Sequence, residues 1–200
     1  MDIANANKNC SVWEVGANVA AEDSRELLKV YPHCQYHGFE PVPEFHQKLA
    51  AAWQGEPRFT VRPFGIGATD TNFKVSREAL QGDNGVSTFL GDSASASGDI
   101  DIQIQSFDTV LALPSLQIPT LMQMNCEGCE WTVLPEALQH GWLKQVPIIQ
   151  IGWHSYGAVG VGARAWELCH IRHELSKTHT MDYGLAFGWE RWSLKTATPS

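Results

Sequence analysis

The 200-residue chain has no apolar run long enough to cross a bilayer. The stretch from Met1 to Lys8 is polar and lacks the apolar core of a signal peptide. No membrane partner is therefore expected. Basic residues are scarce: 14 Lys and Arg stand against 22 Asp and Glu, a formal net charge of −8. That balance argues against a nucleic-acid backbone as the main partner. Phosphate-binding glycines are missing too. There is no G-x-x-x-x-G-K-[ST] loop and no G-x-G-x-x-G run, which excludes phosphate-loop chemistry and speaks against a dinucleotide. The five cysteines, Cys10, Cys34, Cys126, Cys129 and Cys169, are an odd set without framework spacing. Unpaired thiols in a reducing, cytoplasmic compartment are the expectation. Internal repeats and domain boundaries are also absent, so residues 1–200 are expected to form a single domain with a sizeable core.

What the chain does have is alternation of strand and helix patterns. Ser11 to Val15 reads as a first strand and Ala21 to Tyr31 as a helix stopped by Pro32. Gln35 to Phe39 is the second strand. Pro43 opens a helix whose face is Phe45, Leu49 and Trp53. Phe59 to Phe64 reads as a third strand running into Gly65-Ile66-Gly67-Ala68, and Phe73 to Val75 as a short extra one. Gly82 to Gly98 has the composition of a functional surface loop. Ile100, Ile102 and Ile104 alternate with polar residues as a half-buried strand, and Asp108 is a candidate helix cap. Thr120 to Asn125 and Pro147 to Trp153 are strands, with helix Glu130 to His140 between them. Gly157 to Gly162 is a link to helix Ala163 to Lys177, and Met181 to Leu194 is a two-stranded ribbon. The expected fold class is α/β: a mostly parallel sheet with helices on both faces and an antiparallel C-terminal ribbon.

Two stretches carry chemistry. In Val12-Trp13-Glu14-Val15-Gly16-Ala17-Asn18 an apolar run meets a glycine turn and then a helix. One unit later, Gly38-Phe39-Glu40-Pro41 puts a carboxylate at the next strand tip. An acid at that offset accepts hydrogen bonds from a ribose diol. S-adenosylmethionine suits the turn because it carries ribose and adenine but no phosphate. Its cationic groups favour nearby acids such as Glu14. The second stretch, Met124 to Trp131, joins a strand to a helix and presents Asn125 and Glu127, while the next strand delivers His154. A carboxylate and an imidazole beside a methyl donor are candidates for general base and substrate orienter. The plainer readings are that Glu130 is a helix N-terminal acid and His154 a strand-end cap. The Cys126-x-x-Cys129 pair has no convincing second pair, so no zinc is expected, and both cysteines read as small semi-buried residues.

These residues resemble the FkbM-type methyltransferases, an S-adenosylmethionine-dependent group with a Rossmann-like class I fold. The resemblance rests on Glu14-Val15-Gly16-Ala17-Asn18, Phe39-Glu40-Pro41, the run from Gln123 to Leu134, and His154. It implies methyl transfer to a hydroxyl of a small molecule, a sugar or natural product. It also implies that Glu14, Gly16, Ala17, Asn18 and Glu40 hold the cofactor. Gly67 is assigned to the same site, and Asn125, Glu127 and His154 to catalysis. Asn125 stands where the family pattern has Asp, Gln123 where it has Lys, and Ala20 where it has a second Gly. The alternative expectation, supported by Asn125, is a domain that binds the cofactor without catalysis. Nothing in the sequence fixes an oligomeric state.

Overall fold

The structure, a computed structural model, describes residues 10–77, 98–154, 161–185 and 187–195, with the backbone alone at 161–163. Seven strands form one sheet: β1 (Ser11–Val15), β2 (Gln35–Phe39), β3 (Phe59–Arg62), β7 (Leu121–Met124), β8 (Ile148–Gly152), β9 (His179–Gly184) and β10 (Trp189–Leu194). Their order is β3-β2-β1-β7-β8-β10-β9. The first five are mutually parallel, and β10 runs antiparallel to both β8 and β9. The chain leaves β1 toward β2 on one side, and β7 later fills the other side. That reversal of strand order opens a crevice beyond the carboxyl ends of β1 and β7.

Alternation along the strands feeds two cores. Val12, Leu121 and Ile148 pack with Leu49 of α2 (Pro43–Ala52), with Trp53 just past its end, and with Leu27 and Leu28 of α1 (Glu22–Val30). Their neighbours Trp13, Val15, Met122, Met124, Ile149 and Ile151 point the other way. They meet α3 (Phe107–Leu111), α4 (Glu130–Gln139) and α5 (Val161–Ser176). Strands buried on both faces explain the near-continuous apolar runs of β7 and β8. A three-stranded sheet, β4 (Gly65–Gly67), β6 (Ile100–Ser106) and β5 (Thr71–Val75), covers one end of the crevice. Its Ile100, Ile102 and Ile104 form a small core with Val42 and Val75.

Several expectations need correction. Phe59 to Phe64 is not one strand: β3 stops before Pro63, and β4 pairs with β6 in the second sheet. The cap of α3 is Ser106, whose side chain accepts from Thr109 N at 3.2 Å. Asp108 instead accepts from Trp142 Nε1 at 2.7 Å. Four of the five cysteines are not unpaired: Cys10 is bonded to Cys34 and Cys126 to Cys129, and Cys169 alone is free. The first pair joins the starts of two neighbouring strands, where Gln35 N also donates to Cys10 O. With both bonds in place, the cysteine argument for a reducing compartment loses its ground. The Gly82–Gly98 loop, apart from Gly98, and most of the Gly157–Gly162 link lie outside the described residues. Among the described residues, no helix is long and apolar enough to cross a membrane.

Candidate active site

The turn after β1 is built on Gly16, whose φ of 87° is open only to glycine without strain. A Cβ there would stand 2.6 Å from Cys126 Cα and against the Asn125 carbonyl. Glycine therefore lets the turns after β1 and β7 touch. Gly16 N and Ala17 N both donate to Phe39 O, at 3.2 and 3.1 Å, which ties the turn to the end of β2. Asn18 and Ala21 follow with φ of 52° and 47°. Asn tolerates that conformation; Ala adopts it only under strain.

Ala21 is a poor helix cap and makes no side-chain bond to the first turn of α1. A carboxylate from the sheet does that work instead: Glu14 Oε2 accepts from Ser24 N at 3.0 Å. Glu14 is only 3% exposed. Burial pushes its pKa up to about 8, against the lowering effect of the Ser24 bonds. Beside it in register lies Gln123, which donates from Nε2 to Asp23 Oδ2 at 3.0 Å. Among the described residues no cation pairs with Glu14.

Glu40 closes the turn from the other strand. Its Oε2 accepts from Asn18 N and its Oε1 from Val42 N, both at 2.9 Å. Burial raises its pKa to about 7 despite those two bonds. Two spaces flank this turn. One, of about 610 Å³, is walled by Val42, Phe45, Ile66 and Ile104 and carries Glu40, Asn125 and Glu127. The other, of about 600 Å³, is bounded by Glu14, Asp23, Asn125 and the Gly16–Ala21 turn. Gly16, Asn18 and Asn125 line both. Gly67 lines neither; its neighbours Gly65 and Ile66 do, and a Cβ on Gly67 would meet Ile104.

The turn after β7 carries the remaining groups. Asn125 N donates to Val15 O at 2.9 Å, continuing the β1–β7 ladder. Glu127 and Gly128 adopt φ of 55° and 110°. A left-handed glutamate is uncommon, and the turn holds it between the bonded sulfurs of Cys126 and Cys129. Because each sulfur is bonded to the other, the cluster of Cys126, Cys129 and Glu130 offers no thiolate to a metal while the bond is intact. His154 follows β8, the strand next to β7. Its Nε2 lies 3.8 Å from Glu127 Oε1, so the two expected catalytic groups are brought together. Burial draws the His154 pKa down, but Glu130 and then Glu127 outweigh it and hold it above the ordinary histidine value.

Sequence reasoning passed over Glu130 as a helix-dipole acid. The structure makes it fully buried, accepting from His154 N at 2.6 Å and Gly128 N at 3.0 Å. A sequence signal was available in principle: an acid between Cys129 and Trp131, on a helix face that is otherwise apolar, is rarely left unpartnered.

The methyltransferase FkbM domain matches residues 14–182, most of the chain. The chain belongs to the FkbM methyltransferase family. It is thus an S-adenosylmethionine-dependent methyltransferase. Solved structures agree at the level of fold. A putative rRNA-methylase from Clostridium thermocellum is 8% identical, with a TM-score of 0.54 over 94% of this chain and 88% of that one. A fibrillarin/Nop5p complex is 8% identical, with a TM-score of 0.50 over 94% of this chain and 73% of that one. No curated protein sequence matches this methyltransferase. Its seven-stranded sheet, parallel but for β10, is the Rossmann-like class I arrangement.

The residues present fit the family's cofactor. The buried carboxyl of Glu14, with no cation beside it among the described residues, borders one space and suits an ammonium. The Glu40 carboxylate faces the apolar-walled space and suits a ribose.

Proposed function

We propose that this methyltransferase acts on a hydroxyl group of a small molecule, with Glu127 and His154 at the acceptor. The observation that carries the reading is their meeting, at 3.8 Å, from the ends of two adjacent parallel strands. Glu127 also lines the space that holds Glu40 and Asn125. Glu40 would hold the ribose, the Gly16-Ala17-Asn18 turn the backbone side of the nucleoside, and Glu14 the ammonium. S-adenosylmethionine supplies an already activated methyl group when bound, so the chain mainly contributes proximity and orientation. His154 Nε2 takes the acceptor's hydroxyl proton, and Glu127 and Asn125 orient that hydroxyl by accepting and donating hydrogen bonds. The net charge of −8 supports a small acceptor over a nucleic-acid one.

The test is release of S-adenosylhomocysteine in the presence of hydroxylated acceptors. His154→Ala and Glu127→Gln should lower turnover by about 10²–10⁴-fold, the usual range for a general base. The dissociation constant for S-adenosylmethionine should stay nearly unchanged. Lost cofactor binding with normal turnover at saturation would make both residues cofactor ligands and end the proposal.

A further inference from the structure

We infer that Glu130 is a positioning residue that holds the Nδ1 proton of His154, so that the ring presents Nε2 toward Glu127. This rests on His154 being the base proposed above. One carboxylate oxygen, Oε1, accepts from the His154 backbone N at 2.6 Å and faces the ring Nδ1 at 3.2 Å. The other, Oε2, accepts from Gly128 N at 3.0 Å and lies 3.5 Å from Cys126 Sγ. A single buried side chain thus connects three places: the start of α4, the strained Glu127-Gly128 turn and the end of β8. An acid serving only the helix dipole gains nothing by full burial and loses its hydration. Burial at 0% exposure is explained by a cross-strand task.

The ring contact has a chemical consequence. In neutral imidazole one nitrogen donates and the other accepts, and the partner of one decides the role of the other. A carboxylate at Nδ1 accepts a hydrogen bond from Nδ1–H, which keeps the proton on that nitrogen and leaves Nε2 as the basic atom. Nε2 is the nitrogen that faces Glu127 at 3.8 Å. The backbone contact matters as well. It fixes the chain at His154 in the position where the ring reaches Glu130, and Trp131 Nε1 locks the same residue by donating to His154 O at 2.5 Å.

Among the described residues, Glu130 and Glu127 are the charged groups that act on the His154 ring, with a backbone hydrogen bond to Gly152 beside them. Glu130 faces it from α4 and Glu127 from the turn. Arg164 of α5 lies over the Trp131 ring, 5.3 Å from its centre, and pairs with Glu167. Glu190 of β10 is taken by Arg172 and by Trp192 Nε1. Glu130 is therefore the acid whose removal should change the ring most. Its hydrogen bond and charge lead the effects that raise the His154 pKa.

The experiment is nitrogen-detected NMR of the His154 ring in the intact protein, wild type and Glu130→Gln. Gln keeps the size and one acceptor but removes the charge. The wild-type ring should show the Nδ1–H tautomer when neutral. In Glu130→Gln its titration midpoint should move to lower pH. With S-adenosylmethionine and acceptor present, the acid limb of kcat against pH should move the same way. A residue that merely supports the fold would lower kcat without moving that limb. An Nε2–H tautomer in the wild type overturns the inference, and that reading needs no variant to fold. An unmoved titration in a folded Glu130→Gln overturns it too. The spectra are read without turnover, so the two readings fail separately. Normal turnover in His154→Ala would refute the base assignment, while the tautomer and titration of the ring decide the role of Glu130.

Discussion

Cofactor binding to this methyltransferase should release a proton near neutral pH, and Glu14 should be its source. Glu14 is buried in the sheet, caps α1 through Ser24 N, and has its pKa pushed up to about 8 by desolvation. At pH 7 roughly nine in ten molecules therefore hold it neutral, and ionising it costs about 1.4 kcal/mol. An ammonium placed in the adjoining space reverses the balance, because an opposite charge at close range favours the carboxylate. Binding at pH 7 should then expel about 0.9 proton. Affinity should improve about tenfold from pH 6 to pH 7, about fivefold more to pH 8, and flatten above that. Titration calorimetry in buffers of different ionisation enthalpy measures the proton directly. Glu14→Gln keeps an acceptor for Ser24 N but cannot ionise. It should bind more weakly and lose most of the pH dependence.

Stability of the free protein should show the complementary sign. The folded-state pKa lies above the ordinary carboxyl value of 4.5. The contribution of neutral Glu14 is complete below that value and is lost as pH rises through about 8. The melting temperature of the free protein should therefore fall over that window, and S-adenosylmethionine should restore part of it. No proton release between pH 6 and pH 7, together with an affinity that ignores pH, would refute the placing of a cation beside Glu14.

Further outcomes follow from the geometry. Glu40→Ala should weaken S-adenosylmethionine by about 1.5–3 kcal/mol, the scale of hydrogen bonds to a charged group; Glu40→Gln should fall short of that, because it still accepts from either Asn18 N or Val42 N. An unchanged dissociation constant in a folded variant removes Glu40 from the site. Alkylation of protein purified without reductant, read by mass spectrometry, should modify Cys169 alone; Cys34→Ser should lower unfolding free energy by about 2–4 kcal/mol, and labelling of Cys126 or Cys129 in the native protein would return the turn to free thiols.

The central strands were legible because burial on both faces writes them as largely apolar runs, interrupted by single polar residues such as Glu14, His37, Gln123 and Gln150. β1, β2, β7 and β8 lie within a residue or two of their expected places. The site's edge was legible for the same reason: parallel strands must deliver Glu40, Asn125 and His154 to one side. What escaped depends on partners distant in sequence. The split between β3 and β4 required knowing that β4 pairs with β6, some forty residues on, although Pro63 marked the break. The Cys10–Cys34 bond exists because β1 and β2 start side by side, which no spacing rule records. Glu14 as the cap of α1 escaped because local rules look for the cap at Ala21. Glu130 escaped because its partner, His154, is 24 residues away. Gly67 does not line the described space: Gly65 and Ile66 do, and Gly67 lies against Ile104.

The two turns that make the site are each unfavourable by themselves. Asn18 and Ala21 in one, and Glu127 in the other, hold left-handed backbone that a free chain would leave at once. Strain of this kind persists only where surrounding bonds over-determine it. Here those bonds come from side chains on the elements that flank or adjoin each turn. Glu40, from the end of β2, holds Asn18 N; Glu14, from within β1, holds Ser24 N just past Ala21. Glu130, from α4, holds Gly128 N beside Glu127, and Cys126 and Cys129 close that loop covalently. Each brace is a buried acid or a sulfur bond rather than apolar packing. Gly16, where a side chain would strike Cys126, is what allows the braced turns to come into contact. Two of these acids, Glu14 and Glu40, also border the spaces that flank the turn after β1. A ligand that changes the charge of Glu14 or Glu40 should therefore act directly on the turn that lies against Cys126.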